Sequence, residues 1–265
     1  MALLLCAIVS LLGACGGGGG GDGGAGDDVT GPPKVPLIFQ STFDCLDWIQ
    51  DPPTLGHGSD ANVCSSGDGI EGYGDWTTVS GSKDQIIAAA NNPSGGGGKG
   101  FRHWREDGNN NNGGGLRITL PAPVTEMWVR LYMRFSDGFT WTGGAPNYTK
   151  DMYWNVGAAF LIFGHQGGGW GLHSNVGSQN IPSSSKWANT PPGQWHLYEY
   201  HVKQAGGVVE VWVNGQQVLS RTGVNLGTAT WDYFVLGENQ CCVATGGYTD
   251  YDDIAISIVG RVGPH

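Results

Sequence analysis

Apolar and polar residues alternate in short segments along most of the chain after residue 36. Residues 129–135 (VRLYMRF) alternate apolar side chains with polar or aromatic ones, as a half-buried β-strand does. Other segments rich in β-forming residues stand at 116–120, 160–163, 195–203, 208–213, 217–219, 232–237 and 252–257. Asn214-Gly215 is typical of a two-residue hairpin turn, because both residue types tolerate a positive φ. Residues 83–90 alone favour a helix.

This arrangement predicts an all-β protein. Many short strands separated by Gly, Pro, Asn and Asp fit one sandwich better than two domains. The sequence therefore predicts a single β-jelly roll over residues 36–265.

Glycine has two separate sources in this chain. It accounts for 48 of 265 residues, more than twice the average share of roughly 7 %. Eleven of these lie in residues 1–35, mostly in GGGGGGDGGAGDDVTG at 16–31. That segment has almost no apolar side chains to bury, so residues 15–35 are predicted to be a flexible tether. The other glycines lie mostly between the predicted strands, where turns are expected.

The N-terminus has the pattern of an export signal. Residues 1–14 (MALLLCAIVSLLGA) form an apolar run that is too short to span a membrane. Leu12-Gly13-Ala14-Cys15 resembles a bacterial lipobox, which predicts lipidation of Cys15 after cleavage. An ordinary signal peptide with an incidental cysteine is the alternative. The predicted location is the bacterial outer membrane or cell surface, with the chain held there as a lipoprotein.

Charge and cysteine content restrict the partners further. The net charge of −10 argues against nucleic acid, whose binding needs a basic surface. Four cysteines remain outside the signal and the anchor, and in an exported domain they predict two disulfides with three possible pairings. These are Cys45, Cys64, Cys241 and Cys242.

Three motifs of the predicted sheets resemble a known family. They are Gln194-Trp195-His196, VVEVWVNG at 208–215, and Asp252-Asp253-Ile254 near the end of the chain. Together they are similar to the concanavalin A-like jelly rolls of bacteria, in particular the heparin-lyase-like and alginate-lyase-like polysaccharide lyases and their uncharacterised lipoprotein relatives. The resemblance covers residues 38–264. Its motifs are mostly structural, so they carry more information about fold than about activity.

The resemblance implies a protein that binds or cleaves polysaccharide, with two alternatives. One is a lyase that cleaves a uronate-containing glycan by β-elimination. The other is a non-catalytic carbohydrate-binding or structural lipoprotein on the same scaffold. Retaining glycoside hydrolysis is disfavoured, because the sequence lacks the E-x-D-x-E spacing that places carboxylates on one face of a strand.

A lyase must neutralise the uronate carboxylate, remove a proton and protonate the leaving oxygen. Five of the seven arginines lie within residues 102–134 although the chain is acidic, among them Arg102, Arg105, Arg130 and Arg134. On a strand, Arg130, Tyr132 and Arg134 share one face, which suits an anionic sugar chain. The alternative is a solvated face on which arginine stems pack over aromatic rings. The predicted substrate-binding residues are Arg102, Arg105, Arg130, Tyr132, Arg134, Gln166 and Asn239.

Histidine and tyrosine suit the acid and base roles. His165 follows an apolar strand segment, His173 follows Gly-Trp-Gly-Leu, and Tyr198 and Tyr200 share one face of their strand. These four are the predicted catalytic residues. Buried, hydrogen-bonded tyrosines and a turn histidine are the structural alternatives.

The resemblance also implies a structural calcium ion. In such folds an aspartate on the last strand helps to hold Ca²⁺ together with the first strand, and Ca²⁺ prefers oxygen ligands. Asp253 and Asp44 are the predicted ligands, with a solvated strand start as the alternative. No organic cofactor is implied, and the predicted state is a monomer.

Overall fold

The computed structural model describes residues 35–44, 48–50, 70–72, 84–105, 115–139, 149–156, 159–165, 169–174, 187–237 and 247–264. All of these lie within one compact unit, Lys34–His265. They form two antiparallel sheets that pack into a sandwich, so the predicted all-β jelly roll is confirmed. Within the described part of the chain, no helix is long and apolar enough to cross a membrane.

The strands follow one another along the chain with few other elements. They are β1 (Phe39–Ser41), β2 (Trp48–Gln50), β3 (Ile70–Gly72), β4 (Asp84–Ile87), β5 (Gly100–Arg105), β6 (Leu116–Val124), β7 (Glu126–Phe135), β8 (Thr149–Val156), β9 (Ala159–His165), β10 (Trp170–Ser174), β11 (His196–Lys203), β12 (Val208–Val213), β13 (Gln216–Arg221), β14 (Trp231–Leu236) and β15 (Gly247–Ser257). Two short 3-10 turns, Ala88–Ala90 and Pro93–Gly95, lie between β4 and β5.

The two sheets differ in size. The larger sheet has the order β13-β12-β11-β7-β15-β5-β4-β2, and β1 also pairs with β15. The smaller sheet has the order β10-β9-β8-β14-β6-β3. Strand β15 is central to the larger sheet, because its first half pairs with β5, its second half pairs with β1, and β7 runs along its other side.

The alternation read from the sequence decides which face of each strand is buried. In β7, Met127, Val129, Leu131 and Met133 are at most 1 % exposed and face the core. Arg130, Tyr132 and Arg134 take the other face, as their spacing predicts. The hairpin at Asn214-Gly215 is confirmed as well, with φ of 50° and 81° at the two positions.

The predicted helix at 83–90 is wrong. Its first half is strand β4, which pairs with β5 through Ile86 and Phe101, and its second half is the 3-10 turn Ala88–Ala90. Ile86 is 2 % exposed, so burial of this side chain against the sheet overrides the helical preference of the alanines that follow.

Large aromatic side chains join the two sheets. Tyr200 of the larger sheet contacts Phe163 and Trp154 of the smaller one, with ring centroids 4.7 Å and 6.1 Å apart. Trp154 also donates from Nε1 to the Met127 Sδ across the sandwich. Since each such aromatic buries a large apolar area, these contacts hold the sheets in a fixed relative position.

The sandwich has two distinct ends. Strands β5, β7, β9 and β14 finish at one of them, where β8, β10, β11 and β15 begin; we call it the loop end. Contacts across the sandwich align the sheets there: a Cβ on Gly237 would lie 2.8 Å from the His103 ring, and Tyr251 donates its hydroxyl to the Asp151 carbonyl. The opposite end, where β15 finishes and β1 begins, is called the base.

Tyr198 and Tyr200 provide a test of this core. The Tyr198 hydroxyl lies 2.7 Å from Thr190 Oγ1, whereas within the described residues the Tyr200 hydroxyl has no hydrogen-bond partner. We therefore expect Tyr198→Phe to lower the free energy of unfolding by about 1 kcal/mol, and Tyr200→Phe to leave it unchanged or raise it. Urea denaturation of the two variants measures this difference. Equal losses in both would contradict it.

Candidate functional site

Two of the predicted site residues, His165 and Arg105, end their strands at the loop end. His165 is the last residue of β9 and pairs with Trp170 at the start of β10, while Arg105 is the last residue of β5 and pairs with Gly247 at the start of β15. Trp170 packs edge-on against Phe135 at the end of β7, with ring centroids 6.1 Å apart. Two strand ends that carry predicted chemistry, one from each sheet, therefore finish at the same end.

Only the backbone placement of some predicted residues is described. His165 and Arg105 are the last residues of β9 and β5, and His173 lies within β10, where it pairs with Ile162 of β9. Gln166 and Asn239 lie outside the described residues, although Gln166 follows His165 directly and Asn239 comes three residues after the end of β14. Their roles in substrate binding and catalysis stay predictions.

The predicted arginine row exists, but most of its charge is used within the protein. Asp250, with 0 % exposure, accepts from Arg102 Nε at 2.7 Å and Arg102 Nη2 at 3.0 Å. Arg134 Nε also donates to Asp250, at 3.1 Å. Both guanidinium groups bond the Ala89 carbonyl oxygen as well. A buried carboxylate needs such partners, so the main role shown for these two arginines is structural.

Aromatic rings cover the same two arginines. The Arg102 guanidinium lies 3.5 Å from the centre of the Tyr248 ring, and that of Arg134 lies 4.9 Å from the Trp195 ring. This matches the alternative in which arginine stems pack over aromatic residues. Two cations beside one carboxylate still leave one positive charge, and the Arg134 side chain is 22 % exposed.

Arg130 is also held by the protein. It is 5 % exposed, and its Nε donates to the Asp253 carbonyl oxygen at 3.3 Å. Its Nη1 lies 3.5 Å from the carbonyl oxygen of Gly263, in the segment that follows β15 across this face. Tyr132 lies on the same face and is half-buried. The guanidinium of Arg130 thus fastens the C-terminal segment to the sheet.

Tyr198 and Tyr200 lie inside the sandwich. Both are 0 % exposed, and burial raises the pKa of each hydroxyl well above its ordinary value. A hydroxyl in the core does not reach a polymer, and a raised pKa disfavours the tyrosinate. The structure therefore gives no support to the catalytic role predicted for these two residues and agrees with the structural alternative.

Acidic residues cluster where β15 passes from β5 to β1. Asp252 and Asp253 are each 2 % exposed. The backbone N–H of Asn92 donates to Asp252 Oδ2 at 2.6 Å, and the Asn92 side chain donates to Asp253 Oδ2 at 2.8 Å. Asp44, from the segment after β1, accepts from the Lys99 backbone N–H at 2.9 Å. The segment between β4 and β5 therefore covers this part of β15.

Close packing shapes this cluster. A Cβ on Gly95 would lie 2.3 Å from an Asp253 carboxylate oxygen, and one on Gly98 would lie 1.6 Å from Asp44 Oδ1. Only glycine leaves room for the carboxylates at these two positions. Asp253 itself has a φ of 52°, a conformation that L-residues adopt rarely.

The fit of this cluster to calcium is incomplete. Ca²⁺ takes six to eight oxygen ligands, whereas N–H donors already bond four of these carboxylate oxygens. Across the described residues, no group of three or more His, Cys, Asp or Glu side chains is arranged to hold a metal ion. Calcium at Asp44 and Asp253 stays a prediction.

The remaining predictions lie beyond the described part of the chain. Cys15, with the lipobox and the tether up to residue 34, falls outside it, and so do the four cysteines of the predicted disulfides, Cys45, Cys64, Cys241 and Cys242.

One polar cluster was not identified from the sequence. His201 lies on the outer face of β11, with Nδ1 2.8 Å from Glu210 Oε2 and Nε2 3.0 Å from Glu126 Oε1. Trp128 stacks on its ring, with centroids 3.7 Å apart. Burial opposes the charge of Glu126, but hydrogen bonds from Lys203 and His201 outweigh it and lower the pKa of this carboxyl. These residues come from three strands, and only their cross-strand register brings them together.

Comparison with known proteins supports the fold. No protein-family model and no curated protein matches this sequence. Among solved structures, the cellulose-induced protein Cip1 matches with 18 % identity over 70 % of this chain and 89 % of its own, at a TM-score of 0.56. Domain 4 of AbnA, an extracellular arabinanase of Geobacillus stearothermophilus solved with arabinotriose, matches with 20 % identity over 87 % and 96 %, at a TM-score of 0.51.

A third match is weaker. Alginate lyase Aly36B has 13 % identity over 62 % of this chain and 82 % of its own, at a TM-score of 0.45. At these identities the matches to Cip1 and to the AbnA domain show a shared sandwich fold, and the similarity extends no further.

The buried ion pair makes a clear prediction for stability. Asp250→Asn leaves Arg102 and Arg134 without a counter-charge, so we expect it to lower the free energy of unfolding by about 3 kcal/mol or more. Asp232→Asn, at an exposed position on β14, is the matched control and should change it by less than about 0.5 kcal/mol. Urea denaturation measures both. Equal effects of the two substitutions would contradict the structural role of Asp250.

The acidic cluster predicts a dependence of stability on pH. Burial, together with the charges of Asp253 and Asp44, raises the pKa of Asp252 to about 8, against the opposing backbone hydrogen bonds from Asn92 and Asp253. The unfolded chain ionises this group near pH 4, so the folded state alone holds the proton between the two values. We therefore expect stability to fall as the pH rises from about 4 to about 8, by up to a few kcal/mol.

Thermal unfolding across this pH range, in the presence of a chelator, measures that loss. Asp252→Asn should remove it, and an unchanged pH profile in this variant would contradict the prediction. A parallel series with Ca²⁺ in place of the chelator tests the predicted metal. A bound ion would favour the ionised carboxylates and raise the melting temperature above pH 7, whereas no shift would argue against calcium at Asp44 and Asp253.

Proposed function

We propose that this protein binds and acts on a polysaccharide at the loop end of its jelly roll. The observation that supports this proposal is that β5 and β9, whose last residues are Arg105 and His165, finish at the same end of the sandwich. Gln166 follows His165 in the chain, and Asn239 follows β14, which finishes at the same end. A cation, an imidazole and amides are the groups that recognise an acidic sugar.

The fold is compatible with this role. Domain 4 of AbnA shares the sandwich and was solved with arabinotriose. Because Arg102 and Arg134 neutralise Asp250 and Arg130 bonds the C-terminal segment, the proposal relies on the other predicted residues Arg105, Gln166 and Asn239.

In its more specific form, the proposal is that this protein is a lyase that cleaves uronate-containing glycans. Arg105 would neutralise the uronate carboxylate, with Gln166 and Asn239 as hydrogen-bond donors. His165 would remove the proton at C5, the electron pair would form the C4–C5 double bond, and the C4–O bond would break as its oxygen takes up a proton. His173 is the second histidine that the sequence predicts for proton transfer.

The alternative is a carbohydrate-binding protein without catalysis. The observation that favours it is the burial of Tyr198 and Tyr200, which removes both predicted tyrosine acids from the surface. Both forms share the proposed location, since we also propose that the chain is exported, acylated at Cys15 and monomeric.

The two forms differ in one measurement. Incubation with a panel of uronate polysaccharides should raise the ultraviolet absorbance, because β-elimination creates an unsaturated uronate. His165→Ala should slow this rise by about 100-fold or more, the usual contribution of a general base. Gln217→Ala, at an exposed position on β13, is the matched control and should have no effect.

Retention on immobilised polysaccharide separates the remaining outcomes. Retention of the protein without any rise in absorbance would contradict the lyase form of the proposal and favour the non-catalytic binding protein. Neither retention nor a rise with any glycan of the panel would contradict both forms of the proposal.

A further inference from the structure

The base carries a group of apolar side chains that the core does not cover. Among the described residues, the exposed large hydrophobic side chains are Leu37, Ile258 and Val259, with 40 %, 41 % and 66 % exposure. Pro121, Ala122 and Pro123, near the end of β6, are also exposed at the base. We call these six residues the base surface. Single exposed apolar residues are ordinary, but a group of them at one end of a domain marks a contact surface.

The register of β1 and β15 explains why two of these residues are adjacent. Phe39 pairs with Ile256, and the Ile38 N–H donates to the Ile256 carbonyl oxygen at 2.8 Å. Continuing this antiparallel register places Leu37 opposite Ile258. Phe39 and Ile256 are core residues, so the core-facing row of the larger sheet continues beyond the end of the sandwich into solvent.

The same register continues towards the N-terminal segment. A Cβ on Gly260 would lie 3.9 Å from Val35 Cγ1, so residue 35 stays beside the C-terminal segment at the base. The predicted tether therefore joins the domain two residues from Leu37. A flexible glycine-rich chain of about 20 residues has a root-mean-square length of about 25 Å, so the base, where this chain joins the domain, is the surface that the anchoring membrane meets first.

The charge of the base fits this neighbour. The described segments at this end are 35–39, 121–126, 155–156, 159, 203–208, 221–231 and 256–260, and these segments contain one carboxylate, Glu126, in a chain with a net charge of −10. Lys203 pairs with Glu126, and Arg221 adds a further cation. In these segments, anionic lipid headgroups would therefore meet a single carboxylate, which Lys203 neutralises.

We propose that the base surface rests on the lipid bilayer to which the chain is anchored. This inference depends on the acylation of Cys15 proposed above. Its consequence is a fixed orientation: β15 has 11 residues and runs from the loop end to the base, so the loop end stands about 35 Å away from the lipid, facing outwards. The glycan site then faces the surroundings of the cell.

The experiment uses the full-length, acylated protein in vesicles of phosphatidylethanolamine and phosphatidylglycerol. A benzophenone amino acid replaces Val259 in one variant. In the matched control it replaces Gln216, which is exposed on the hairpin at the loop end. After illumination, mass spectrometry should detect lipid adducts at position 259 and none above background at position 216. Equal adducts at both positions, or none at 259 in a protein that sediments with the vesicles, would overturn the proposal.

A second variant tests the apolar contact itself. Val259→Asp, with the photoreactive residue at position 258, should lose the adducts while the protein still sediments through its acyl anchor. Adducts retained in this variant would contradict the role of the base surface. A chain that is neither acylated nor sediments with the vesicles would overturn the anchor and the docking surface together, whereas retention on polysaccharide tests the glycan site separately.

Discussion

The larger sheet depends on one buried carboxylate. Asp250 lies in the middle strand β15 with no exposure to solvent, so it needs positive partners from both neighbouring strands. Arg102 on β5 and Arg134 on β7 provide them and bond the Ala89 carbonyl oxygen in addition. The ion pair thus joins three strands and the segment between β4 and β5. Because an unpaired buried charge is costly, Arg102 and Arg134 are needed to neutralise Asp250 whether or not a ligand is bound.

The same strand separates two chemically different ends. Strand β15 begins at the loop end, beside Arg105, and ends at the base, beside the exposed Ile258 and Val259. Between them, Asp252 and Asp253 lie at the point where β5 gives way to β1, and Asn92 covers them. Neither β5 nor β1 pairs with β15 at Asp252 and Asp253, so amide groups of the loop residue Asn92 bond these carboxylates instead. The proposed glycan site and the proposed membrane contact therefore lie at opposite ends of one continuous element.

Burial of polar residues within the sandwich follows from its register. Tyr198 and Tyr200 pair with Leu131 and Val129, which places both tyrosines on the core side of β11. Glu199 and His201 on the alternate positions face outwards, and each is covered by its own partners: Arg261 bonds Glu199, and Trp128 stacks on His201. Both faces of β11 thus carry polar or aromatic residues that are nearly fully buried, among them Tyr198 and Tyr200 on one face and Glu199 and His201 on the other.

The sequence alone determined the fold class, many of the strands and the turn at Asn214-Gly215, because these depend on a period of two residues and on local backbone preferences. It also placed Arg130, Tyr132 and Arg134 on one face. It did not show that 83–90 begins with a strand, since the partner Phe101 lies outside that segment. Nor did it show which face of β11 is buried, because both faces carry polar side chains. Only the tertiary structure decided that Arg102 and Arg134 meet Asp250, since the partners are more than 100 residues apart and are brought together by strand register.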